Sequence, residues 1–126
     1  MKRIKQMALS LVMAASLLGS SPLTANAETV STSEFGTMSY SLTRSGSTVT
    51  ARTSVTKTAN KLITSVEIKI NATGATVAKA SVTKNNAKVN DVIKTTNYSS
   101  GTTLACFSCH EARGAGGVAR YLAETF

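Results

Sequence analysis

Apolar and polar side chains alternate with a period of two along much of this chain, which restricts those segments to extended strands with one face turned inward. Met38, Tyr40 and Leu42 alternate with Ser39, Ser41 and Thr43. Val49, Ala51, Thr53 and Val55 alternate with Thr50, Arg52, Ser54 and Thr56, and Leu62, Thr64, Val66, Ile68 and Ile70 with Ile63, Ser65, Glu67 and Lys69. Turn formers separate these runs at Arg44-Ser45-Gly46-Ser47 and Asn71-Ala72-Thr73-Gly74, and the polar stretch Lys57 to Lys61 reads as a further break. Later segments are less regular. Ala78, Ala80 and Val82 share a face, Val89 to Thr96 is weakly patterned, and Leu104 to Cys109 is apolar on both faces. After the flexible Gly114-Ala115-Gly116-Gly117, the side chains of Val118, Leu122 and Phe126 fit one face of a helix or of a strand, and a closing edge strand is expected. Short strands recurring about every ten residues predict an all-β fold: a small antiparallel β-sandwich built as a meander of hairpins.

A short repeat supports the hairpin reading. Gly46-Ser47-Thr48-Val49 recurs as Gly74-Ala75-Thr76-Val77, and Ser54-Val55-Thr56-Lys57 recurs as Ser81-Val82-Thr83-Lys84. Each block is followed by an Asn/Ala/Lys turn and a second strand, and Gly101-Thr102-Thr103-Leu104 begins a candidate third copy. A hairpin used two or three times explains this spacing. So few copies without caps make a poor solenoid, so a meander is preferred.

The first 27 residues read as an export signal. Lys2, Arg3 and Lys5 give a positive start, Met7 to Leu18 is almost wholly apolar, and Ala25-Asn26-Ala27 offers small residues where signal peptidase inspects them. The apolar stretch is shorter than the roughly 20 residues a permanent span needs. The expected organisation is a signal peptide over residues 1–27 and one domain over 28–126, released outside the cytoplasm as an extracellular or periplasmic protein with no transmembrane segment after processing. Of the 99 residues after Ala27, 30 are Ser or Thr. A disordered mucin-like stalk has that bias too, but it carries proline, which this portion lacks, and has no apolar alternation.

Charge falls from +8 to +5 when the signal is lost, leaving eleven basic and six acidic residues that the sequence spreads over the whole chain. Such a surface keeps a protein in solution, and outside the cell it also attracts anionic wall polymer or other envelope surfaces. Nucleic acid is not expected as a partner, because no basic cluster or interleaved aromatic residues are seen.

One motif carries chemistry. Cys106-Phe107-Ser108-Cys109-His110 matches C-x-x-C-H, the attachment signature of c-type haem, in which two thiols trap the vinyl groups and the imidazole ligates iron. Met38 and His110 are the only Met and His after processing. Against haem, the motif follows a strand-like segment, and a domain with no tryptophan has little to enclose a porphyrin. A thioredoxin-like pair needs a helix start that is not seen, and structural zinc needs four ligands. In a strand, Cys109 and His110 point to opposite faces, so neither activates the other. Cys106 and Cys109 would then be about 10 Å apart, too far for a disulfide. The expectation is two semi-buried thiols, or one strained local disulfide if the segment turns there, beside a polar end formed by His110, Glu111 and Arg113, with no cofactor and no enzyme. The function expected is a secreted, non-catalytic interaction or surface-binding module of a bacterial envelope. An exported c-type haem protein using Cys106, Cys109 and His110 is the alternative, and a small bacteriocin-like toxin a second.

Overall fold

The computed structural model describes residues 24–126, so most of the expected signal segment lies outside the described residues. The described chain is all-β and antiparallel: β1 (Thr24–Thr32), β2 (Gly36–Ser45), β3 (Thr48–Ile70), β4 (Thr76–Thr95), β5 (Leu104–Arg113) and β6 (Gly117–Thr125). All six belong to one hydrogen-bonded sheet, ordered β1-β2-β3-β5-β6, with β4 on the other edge of β3.

Two long strands organise this sheet. β3 has 23 residues and β4 has 20, so Lys57 to Lys61, expected as a break, lies inside β3. The break is instead a register irregularity between Ser54 and Ala59, matched in β4 by Asn86 at φ 50. A bulge of this kind bends the ladder without ending it. β4 follows β3 along nearly its whole length, while the opposite edge of β3 is shared, Thr48–Val55 pairing with β2 and Lys61–Ile70 with β5. Folding over at the bend brings β1 and β2 against β5 and β6, giving a nearly closed, barrel-like body.

The alternation read from the sequence sets what faces inward. Met38, Tyr40 and Leu42 of β2, Val49 and Ala51 of β3 and, past the bend, Leu62, Val66 and Ile68 are buried. In β5 every second residue from Leu104 to Ala112 is buried, so the strand that looked apolar on both faces has a strict inner face. The expected turns at Gly46 and Gly74 are present, both glycines having the positive φ that favours this residue. The closing strand is also present, β6 lying along β5.

Specific contacts close the two ends. At one, Phe35 is buried, Lys57 donates its backbone N–H to the Phe35 carbonyl at 2.9 Å, and the Glu34 carboxylate accepts from the N–H groups of Ala115 (2.7 Å) and Gly116 (2.9 Å). The Gly-rich segment is thus a tight turn clasping a carboxylate. At the other end, the buried Arg44 guanidinium donates to the main-chain oxygens of Gly46, Ser99, Thr102 and Phe126. An arginine taken from water must use its donors in this way.

The predicted cleavage point falls within β1. Ala25, Asn26 and Ala27 pair with Thr43, Leu42 and Ser41, and Asn26 is buried with no partner for Oδ1. A chain starting at Glu28 keeps the rungs from Glu28 to Thr32 and loses that unsatisfied amide oxygen.

Candidate functional site: a polar core and a basic hairpin

Strand β5 decides where the C-x-x-C-H residues go. Cys106 and His110 occupy its inner face and are fully buried, while Cys109 lies on the other face, half-buried and beside Glu111. Both thiols are free. Burial pushes the Cys106 thiol up to about 11. The Cys109 thiol is also raised, first by burial and then by the neighbouring Glu111 carboxylate. Neither environment favours a reactive thiolate. Haem c attachment needs both thiols at one edge of a porphyrin and an imidazole free to bind iron. These residues do not fit: the thiols project to opposite sides of the strand, and both ring nitrogens of His110 are engaged. Met38, the remaining methionine, is buried in the core on β2.

His110 instead sits in a buried polar cluster that joins the two halves of the folded sheet. Its rung partner is Thr64 in the second half of β3, and Thr53 lies in the first half. The bend brings these threonines together, Oγ1 to Oγ1 at 2.7 Å, and Thr53 Oγ1 is also 2.9 Å from His110 Nδ1. Ser108 Oγ lies 2.6 Å from His110 Nε2, and the Tyr40 ring packs at 5.4 Å between centroids. Thr64 Oγ1 donates to the Asn90 carbonyl, and the Asn90 amide donates to the carbonyls of Leu62 and Val82. With Thr64 donating to the Asn90 carbonyl, Thr53 donates to Thr64, Nδ1–H to Thr53 and Ser108 to Nε2, an arrangement that suits a neutral imidazole. Burial accordingly lowers the His110 pKa to about 4.

A serine beside a histidine is the start of a nucleophile–base pair. Here both are buried, and the second imidazole nitrogen meets a threonine where a carboxylate would orient the base. Shallow depressions on the surface of the described residues include two that lie near the ends of the sheet's strands. One, of about 230 Å³, is lined by Glu111, Arg113 and Gly117 to Ala119, and one, of about 380 Å³, by Gly46, Ser47 and Thr96 to Ser100. Neither lining includes Ser108 or His110. Among the described residues, no group of three or more His, Cys, Asp or Glu is placed to hold a metal ion.

The outside is organised by charge. The hairpin from Thr48 to Thr95 carries eight basic residues against Glu67 and Asp91, a net +6. The other described residues carry three basic against four acidic, a net −1. Every lysine among the described residues is on this hairpin. Asp91 pairs with Arg52, and Glu67 with Lys69 and Lys79, in exposed ion pairs of small energetic weight. Eight of the eleven basic residues after Ala27 lie in the one stretch from Thr48 to Thr95, which the sequence reading takes as charge spread over the whole chain and which the fold pairs as two strands. Sequence reading also missed Thr53, Thr64, Asn90 and Ser108 as a cluster. Its trace was a polar side chain at an inward position of each alternating run.

No helix among the described residues is long and apolar enough to cross a membrane. No family model matches the sequence, and no curated protein or solved structure matches it.

Proposed function

We propose that this chain is an exported, non-catalytic binding module that engages anionic surfaces of the bacterial envelope through its β3–β4 hairpin. The observation that carries the reading is the charge segregation, with a net +6 on the hairpin and −1 on the other described residues. A field of one sign on one element attracts polyanions, whereas the same charge scattered over the surface chiefly confers solubility. Residues 1–27 act as the cleaved signal and residues 28–126 as a small sandwich-like domain. Cys106, Cys109 and His110 have structural roles in β5, and neither cofactor nor catalysis enters the reading.

The test uses the secreted protein, whose intact mass should correspond to a chain starting at Glu28. Isolated cell walls are the probe, with walls stripped of their anionic polymer as comparison. Binding should be strong at about 0.02 M salt, weaken steeply by about 0.3 M as screening shortens, and largely disappear with the stripped walls. Equal binding to intact and stripped walls, or none at low salt, would overturn the proposal.

A further inference from the structure

The end of the body that Arg44 closes also carries the depression of about 380 Å³, lined by Gly46 and Ser47 of the β2–β3 turn and by Thr96 to Ser100 of the loop between β4 and β5. The two connections are fixed to each other. Thr96 donates its backbone N–H (2.8 Å) and its hydroxyl (3.1 Å) to the Ser47 carbonyl, and the same hydroxyl accepts from the Tyr98 N–H at 3.1 Å. Within the loop, the Thr102 N–H donates to the Ser99 carbonyl at 3.0 Å. Beneath both, the buried Arg44 guanidinium reaches the Gly46 carbonyl on one side and those of Ser99 and Thr102 on the other. A buried guanidinium is costly unless its donors are met, and here the main chain of both loops meets them. The effect is to hold a surface depression in one shape, as a binding site needs and a plain connection does not.

The lining has a distinct chemistry. No Lys, Arg, Asp or Glu belongs to it, and no aliphatic side chain. Tyr98 is half-buried and packs against the core, which steadies its ring. The side chains of Ser47, Asn97, Ser99 and Ser100 and the Tyr98 hydroxyl make no hydrogen bond to another described residue, so their donors and acceptors remain open to a ligand. The smaller depression differs: Glu111 and Arg113 in its lining already bond each other at 2.7 Å.

A ligand suited to these groups is neutral and rich in hydroxyls, with one face apolar enough to lie on a phenol ring. An anion would meet no cationic side chain, because Arg44 lies beneath the loops with its donors on main-chain oxygens. An apolar ligand would find a single ring among hydroxyls that it would strip of water. A sugar ring meets both demands. Its hydroxyls donate and accept, as the serine hydroxyls and the Asn97 amide do, and its C–H face packs on an aromatic ring. The volume lies within the range of small-ligand sites, about 300–1,000 Å³. We propose that this depression binds a neutral pyranose residue of a glycan chain. The site goes beyond the charge-driven reading of the hairpin and does not depend on it, since no lysine is part of the lining.

The experiment follows the backbone amide signals of the isotope-labelled secreted protein while cellotetraose or chitotetraose, both neutral, is added to about 20 mM. At least one of them should shift the signals of Gly46, Ser47 and Asn97 to Ser100 in a saturable way. The midpoint should change by less than about twofold between about 0.02 and 0.3 M salt, because no ion pair forms. Asn97→Ala/Ser100→Ala alters two exposed side chains that hold no other residue, so the double variant should melt as wild type and raise the midpoint at least about fivefold. Tyr98→Leu keeps apolar bulk against the core and should weaken binding comparably through loss of the ring. No saturable shift with either sugar, shifts centred on Phe107 and Tyr121, or unchanged affinity in the double variant would overturn the proposal. Binding of glucose 6-phosphate more than about tenfold tighter than glucose would show an anion site in its place. Salt-sensitive wall binding without any sugar response would remove this site and leave the hairpin reading standing, and sugar binding without wall binding would do the reverse.

Discussion

Acid should unlock the molecule through His110, and the size of the effect follows from the burial of one imidazole. In the folded chain the ring is fully enclosed, with Ser108 and Thr53 on its two nitrogens and the Tyr40 ring against its face. Of the other strands that meet here, β3 brings the Thr64 hydroxyl and the Arg52 main chain, whose hydrogen bond opposes the effect of burial, and β4 brings the Asn90 carbonyl; the Tyr40 hydroxyl in turn donates to Glu28 on β1. Folding lowers the His110 pKa from 6.5 to about 4. The folded state resists the proton while the unfolded state accepts it, so the contribution is complete above pH 6.5. It declines as pH falls from 6.5 towards 4, and no more is lost below that. Two and a half units amount to about 3 kcal/mol, a sizeable share of the roughly 5–15 kcal/mol that holds a small domain together. Urea unfolding followed by far-ultraviolet circular dichroism at pH 7.5, 6.5, 5.5 and 4.5 measures this directly. Surface carboxylates also titrate near the low end, so His110→Gln is measured alongside. That variant should be less stable at pH 7.5, because it disturbs the Thr53 and Ser108 contacts, yet lose much less stability on acidification. Parallel curves for the two proteins would show that His110 does not carry the pH dependence and would refute the argument.

The thiols should differ sharply: a disulfide-exchange reagent should label Cys109 slowly and Cys106 only after denaturation, and the protein made in a host competent for haem c maturation should keep its plain peptide mass. A covalent haem adduct would show that β5 is not formed as described. In the core, Ile68→Ala should cost about 2–5 kcal/mol in denaturant unfolding, while Lys69→Ala, on the opposite face, should cost less than about 0.5 kcal/mol; equal costs would mean the strand faces are reversed.

Strand identity and facing were legible wherever one side of a strand is buried and the other wet. Met38 to Leu42 and Leu62 to Ile68 are clear cases, and the turns at Gly46 and Gly74 were announced by residues that tolerate positive φ. Lys57 to Lys61 misled because the bend is solvated on most of its residues, and a solvated strand has the composition of a loop. The extent of β3 depends instead on its partner β4, which local pattern does not identify. The burial of His110 was within reach: the parity set by Leu104 and Cys106 carries it inward. What hid it was the expectation that a His-Glu-Arg segment ends a strand in water.

Because β3 is a member of both halves of the folded sheet, neither half owns enough strands to stand without it. The β1–β2, β2–β3, β3–β4 and β5–β6 ladders each join strands adjacent in sequence and can zip from a nearby turn. The β3–β5 ladder is different, since Lys61 must find Arg113 across the whole β4 excursion. Closing so long a loop before any contact rewards it is the slow part of making a sheet, so that step should set the folding rate. It also makes the transition all-or-none. A nick or proline placed in the middle of β3 would not release one intact half; it would cost both.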